Sequence, residues 1–233
     1  MSALVLAERP EAAVLVLTLS RPDKRNALSA PLLTELAKQL RAGLDDAATR
    51  AVVLTGTEPA FCAGVDLDGI AAGVRFPGEA MRLLRTASVP VVAAVNGPAI
   101  TGGLELALAC DFRIGSERAR FADTHARMGV TPGWGMTARL PQAVGQAWAR
   151  QMSLTGSFVD AETALRIGLL NELVSHDRLL DRAVELAGLI ARTNPDAARR
   201  IRDLYSVARD TTGQQALDAE TQVAHETWGI ALA

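Results

Sequence analysis

Apolar and polar residues alternate at the start of the chain, and the period then changes. Leu4–Ala7 and Val14–Leu19 read as two short strands, with the turn residues Glu8-Arg9-Pro10-Glu11 predicting a hairpin between them. Ser29 precedes Pro31 and apolar positions at Leu32, Leu33, Leu36 and Leu40. That is an N-cap, a first-turn proline and one face of a helix. The continuous apolar run Ala51–Thr55, closed by Gly56, predicts a buried strand. The order then recurs: a helix around Glu79–Thr86, a strand at Pro90–Val95, a turn at Asn96-Gly97-Pro98, a helix at Leu104–Cys110 and a strand at Asp111–Ile114.

After Gly133 the period is helical. Arg139–Val144 and Gln146–Leu154 read as short helices, and Asp160 caps Ala161–Ile167 with Gly168 at the C′ position. From about Asp177 the chain is helical again, broken at Thr193-Asn194-Pro195. Strand pairs alternating with helices predict an α/β fold with a core of short sheets. A boundary near Ser175 would separate a core, residues 1–175, from a helical C-terminal portion, residues 176–233. No Pro-, Ser- or Gly-rich linker marks it, so the two parts are expected to move together.

Composition removes several function classes. The 24 Lys and Arg against 26 Asp and Glu leave a net charge of −2, so nothing draws the chain to nucleic acid. Cys62 and Cys110 form neither a disulfide framework nor a metal set, and each suits a small buried slot. Glu8, Arg9 and Glu11 break the first apolar run too early for a secretory signal. No apolar stretch reaches the ~20 residues that span a bilayer. A cytoplasmic protein with neither membrane nor metal is the expectation.

Two stretches carry candidate chemistry: Pro59–Leu67 and Val95–Ala107. Each sets glycine and small residues just after a strand, where backbone can approach a ligand closely. In the second, Gly102 and Gly103 open a helix, whose first N–H groups lack partners and favour negative charge. The spacing from Gly97 to Gly102 imitates the start of a phosphate loop, but Gly103 and Leu104 replace its Lys-Ser/Thr. There is no Gly-x-Gly-x-x-Gly and no Gly-x-Ser-x-Gly. Taken alone, either stretch is equally a tight strand-to-helix turn. Glu105 lies three positions after Gly102, on the same helical face, among Leu104, Leu106, Ala107 and Leu108. Burial there would raise its pKa, and an acid in an apolar helix is costly unless paired or used.

Together with their flanks, these stretches resemble the crotonase (enoyl-CoA hydratase/isomerase) family. Arg21–Leu28 resembles its N-terminal motif, Phe61–Leu67 its first oxyanion loop and Asn96–Cys110 its second. Pro132–Gly135, Leu140-Pro141, Leu154–Gly156 and Asp160–Asn171 continue the match, which runs from residue 14 to about 175. The resemblance implies a ClpP/crotonase-like spiral of repeated ββα units and an acyl-CoA thioester substrate, with no separate cofactor because coenzyme A is part of the substrate. It implies hydration of a 2-enoyl-CoA, as in fatty acid metabolism. The rivals are double-bond isomerisation through the same enolate and non-catalytic acyl-CoA binding. It further implies a homotrimer or dimer of trimers assembled through the C-terminal portion.

By that resemblance the backbone N–H groups of Ala63 and Gly102 form the oxyanion hole, each worth about 3–4 kcal/mol to the enolate. Ala63, Gly64, Val65 and Asp66 would line the CoA path, with Asp66 anchoring the loop. Arg25 would meet a CoA phosphate or stay solvated, with Ala27 beside it on the substrate side, and Trp134 would border the acyl pocket or pack in the core. Glu105 becomes the catalytic acid/base. The sequence departs from the family where a second glutamate belongs, four residues after Phe121: His125 stands there. An imidazole changes charge near neutral pH, so His125 is a candidate acid/base or a bystander ordering water. Asp123 receives no role. Thr101 replaces the first glycine of a triple, and Met136 replaces a further glycine. The family's longer C-terminal helix, which closes over CoA, is not expected within a sequence whose last residues are Trp228 to Ala233.

Overall fold

The computed structural model describes residues 3–210 and Gln215. Trp228, Ala233 and the rest of the segment expected from sequence to be helical after residue 210 lie outside the described residues. Along the chain run β1 (Val5–Glu11), β2 (Val14–Leu19), α1 (Ala30–Asp45), β3 (Ala51–Gly56), α2 (Leu67–Ala71), α3 (Glu79–Arg85), β4 (Val91–Val95), β5 (Pro98–Ile100) and α4 (Gly102–Ala109). They are followed by β6 (Phe112–Ser116), β7 (Arg120–Ala122), α5 (Met136–Thr155), β8 (Val159–Asp160), α6 (Ala161–Arg166), β9 (Glu172–Val174), α7 (Leu179–Ala191) and α8 (Pro195–Asp210).

The large sheet has the order β1-β2-β3-β4-β6-β9, and only its β1/β2 pair is antiparallel. Its inner strands β3 and β4 are buried along their whole length, as parallel strands covered on both faces are. Alternate residues separate two cores. Leu15, Leu17, Val52, Leu54, Val91 and Ala93 pack with α1, whose Leu32, Leu33, Leu36 and Leu40 are fully buried. Val14, Val16, Val53, Val92 and Ile114 face α7 through Leu179, Ala183 and Ala187. The Ser29 Oγ accepts the Leu32 N–H at 3.3 Å, so α1 begins at the cap read from sequence.

A second sheet, β5-β7-β8, stands beside the first. The chain gives one strand to the large sheet, one to the small sheet, then a helix, and repeats. Isolated pairing of Cys62 with Ala99 extends the small sheet, which continues through Ala99–Phe121 and Phe121–Val159. Four rungs thus stack in one row, three from successive turns of the spiral and the last, β8, antiparallel. Residues that follow each rung stack as well, which brings Ala63–Asp66, Thr101–Glu105 and Asp123–His125 together.

Two expectations change. β1 continues through Pro10 to Glu11, and the hairpin turns at Ala12-Ala13. β1 is an edge strand with an irregularity between Glu8 and Glu11, where the missing proline N–H costs nothing. The three-residue strands β5 and β7 had no sequence signature. Arg139–Val144 and Gln146–Leu154 stand as expected, as two helical stretches within α5 parted by the non-helical Gly145 at φ 77°.

Candidate active site

The N-terminal loop is the frame of the site. Asn26, fully buried at φ 56°, donates from Nδ2 to the Thr57 and Ala60 carbonyls, both at 2.7 Å. Its Oδ1 accepts from the Arg21 N–H and the Thr57 hydroxyl. All its hydrogen-bonding capacity is used, and it ties residues 21–28 to the loop after β3. Leu28 then pairs with Val65: its N–H reaches the Gly64 carbonyl at 2.7 Å, and its carbonyl accepts from Asp66 at 3.1 Å. Asp66 is held in turn. It caps α2, and its Oδ2 accepts from Arg21 Nη1 at 2.5 Å, the guanidinium keeping its carboxyl below the ordinary range.

This pairing decides which amides face the site. The Ala63 N–H donates to the Arg25 carbonyl at 3.0 Å, so it is engaged and not open to a substrate oxygen. That corrects the expectation that Ala63 supplies an oxyanion donor. Among the described residues nothing accepts from the Val65 N–H, two positions on, nor from the Gly102 N–H, which opens α4. The two are neighbours: a methyl built on Gly102 would lie 3.4 Å from the Val65 nitrogen and 3.2 Å from its Cγ2. Gly64, at φ 97°, permits the turn between them, since a side chain there would meet the Ile100 carbonyl at 2.8 Å. Arg25 is exposed and Ala27 is half-buried, both on the frame loop.

Thr101 carries the sharpest backbone feature, φ 53° and ψ −108° in a β-branched residue. Its N–H donates to the Ala122 carbonyl at 2.8 Å. Its hydroxyl pairs with that of Thr124 at 2.5 Å and accepts the Thr124 N–H at 3.1 Å. Where a glycine would have turned freely, Thr101 adds a clamp on the segment that carries His125.

Glu105 is 2% exposed. Its Oε1 accepts the Trp134 N–H at 2.8 Å and the Met136 N–H at 3.2 Å. Burial pushes its carboxyl above the ordinary range, and those two amides and His125 only partly offset this. Trp134 is half-buried, and its ring also borders Gly102. Oε2 of Glu105 faces Nε2 of His125 at 3.8 Å. On the other side of the imidazole, Nδ1 lies 2.6 Å from Oδ1 of Asp123, a residue 1% exposed. Burial raises the Asp123 carboxyl, yet hydrogen bonds, led by that from His125, hold it below the ordinary range. Sequence reasoning set Val65 on the CoA path without singling out its N–H, and it gave Asp123 no role. The Asp-x-His spacing, which suits a side chain accepting the N–H two residues on, was the available signal for the second. Among the described residues no three His, Cys, Asp or Glu side chains gather as metal ligands.

Two open amides and a buried carboxylate, on a spiral of stacked strands, form an arrangement that can stabilise a developing oxyanion. Residues 9–230 match the family model described as enoyl-CoA hydratase/isomerase. The chain is 35% identical over 227 residues to the crotonyl-CoA hydratase of Syntrophomonas wolfei, covering 94% of this chain and 86% of that one. Two solved structures superpose closely. The enoyl-CoA hydratase of Mycobacterium smegmatis gives a TM-score of 0.82 at 43% identity, with 97% of this chain and 98% of that one covered. That of Bacillus anthracis gives 0.89 at 34%, covering 98% and 92%. The chain belongs to the enoyl-CoA hydratase/isomerase family and has the crotonase fold.

Proposed function

We propose that the protein hydrates a 2-enoyl-CoA. The observation that carries this reading is the gap between Glu105 Oε2 and His125 Nε2, 3.8 Å wide, with Glu105 one helical turn after Gly102 on α4. The thioester carbonyl sits between the Val65 and Gly102 N–H groups, with Ala63 kept as wall rather than donor. Two fixed donors in a dry site favour the enolate by several kcal/mol, at about 3–4 kcal/mol each. Glu105 takes a proton from water as its oxygen attacks C3, and His125 supplies the proton to C2. The relatives named as hydratases support this reaction over isomerisation.

The CoA portion runs along Gly64, Val65 and Asp66, with Arg25 and Ala27 on the frame loop. The acyl group extends past Trp134. Residues 1–175 hold this site, and residues 176–233 serve assembly into a homotrimer or a dimer of trimers. The exposed apolar side chains of Leu189, Ile201 and Tyr205 support an assembling surface in that portion. Sedimentation would measure that state. A cytoplasmic location accords with two buried free thiols and with no described helix long and apolar enough to cross a membrane.

The test is turnover on a panel of 2-enoyl- and 3-enoyl-CoAs, following the conjugated thioester absorbance, with Glu105→Gln and His125→Glu alongside. Loss of the 2-enoyl signal, abolished by Glu105→Gln, supports hydration. A gain of conjugated signal from 3-enoyl substrates alone would make it an isomerase. Acyl-CoA binding without turnover, cured by His125→Glu, would make it a binder.

A further inference from the structure

We infer that Asp123 is a positioning residue, holding His125 as one half of a dyad that takes the place of a second carboxylate opposite Glu105. This rests on the hydratase reading above. Asp123 Oδ1 accepts twice from the same residue, from the His125 N–H at 3.2 Å and from Nδ1 at 2.6 Å. Ring and backbone are therefore fixed together. With Nδ1–H spent on Asp123, Nε2 is the only nitrogen left to exchange protons, and it points at Glu105. The Thr101–Thr124 clamp holds the intervening residue from the opposite side. The titratable groups facing the imidazole are Glu105 from α4 and Asp123 from the loop after β7.

The 3.8 Å span is too long for a direct hydrogen bond and suits one water about 2.8 Å from each partner. The proton count closes. The cycle requires Glu105 ionised and His125 protonated at its start. Water gives a proton to Oε2 as its oxygen bonds C3, and the C2=C3 electrons move onto the thioester oxygen. The enolate collapses as Nε2–H delivers its proton to C2. One proton then passes from Oε2 to Nε2, restoring both groups. Asp123 stays ionised throughout and stabilises the imidazolium, the role a buried aspartate plays toward histidine in hydrolytic triads.

The experiment is a cycle of Asp123→Asn, His125→Gln and the double variant, assayed on the 2-enoyl-CoA panel. Asp123→Asn should lower kcat by ~10²-fold and leave KM within about threefold. The double variant should fall no further than His125→Gln, because the two act as a unit. Additive losses, or wild-type kcat in Asp123→Asn, would overturn the inference. Nitrogen-15 NMR of the wild-type imidazoles at neutral pH, with His125→Gln for assignment, stands apart from turnover and from folding of the variants. A protonated Nδ1 on His125 supports the dyad, and an unprotonated one refutes it. A wild type inert on every 2-enoyl-CoA would sink the hydratase reading alone, leaving the NMR result to decide the dyad.

Discussion

Two histidine–carboxylate clusters lie among the described residues, and on paper they look alike. His125 stands between Asp123 and Glu105, at 2.6 and 3.8 Å. His176 stands between Glu58 at 3.0 Å and Ser116 at 3.3 Å, which gives a serine, a histidine and an acid within reach of one another. The difference is in what remains unspent. Ser116 is fully buried and its hydroxyl donates to the Asn96 carbonyl, while Glu58 also takes the Asn96 side chain. Glu58, Ser116 and His176 are each committed to joining the loop after β3, β6 and the segment after β9. In the His125 cluster, Oε2 of Glu105 and Nε2 of His125 face each other without touching, beside two open amides. Chemistry needs capacity left over, and a strut has none.

The largest test of that contrast is Glu105→Gln, which should lower kcat by ~10³-fold while the protein stays folded, since a Gln oxygen still accepts from the Trp134 and Met136 amides. Circular dichroism with steady-state kinetics checks both halves. Next, His125→Gln should cost ~10²-fold in kcat and His176→Gln less than twofold. Equal losses at the two histidines would erase the distinction.

Smaller effects fall on stability. Arg21→Met should cost about 1.5–3 kcal/mol at pH 7, by freeing a mostly buried Asp66. The folded-state pKa of Asp66 is depressed, so its contribution is complete above the ordinary carboxylate value of ~3.9 and fades as pH falls through the lower folded value. Urea unfolding of wild type and variant should therefore converge in acid. Smallest, Ser116→Ala should cost about 1 kcal/mol, the net worth of its bond to Asn96, and leave kcat unchanged. A loss of turnover there would show that the second cluster is more than a strut.

Legibility in the sequence followed the range of the interactions involved. The Ser29 cap, the α1 face, the buried β3 and β4 and the three-residue step from Gly102 to Glu105 are local patterns, and all stand in the structure. The short strands β5, β7 and β8 exist only because successive turns stack, so no run of three residues could announce them. The same limit explains Ala63 and Val65. Both are small-loop amides, and only the distant partners Arg25 and Leu28 determine which is spent. His125 was visible as an odd residue in a familiar frame, whereas its dependence on Asp123 required the ring orientation.

Trp134 gives its backbone N–H to the same Glu105 oxygen that Met136 serves, and its indole borders Gly102. The protein thereby carries its own optical probe. Tryptophan emission is sensitive to a nearby carboxylate and to displacement of solvent, so ligand entry and the charge on Glu105 can be followed by intrinsic fluorescence without any label. Trp134→Phe, compared with the same change at Trp148, isolates that signal.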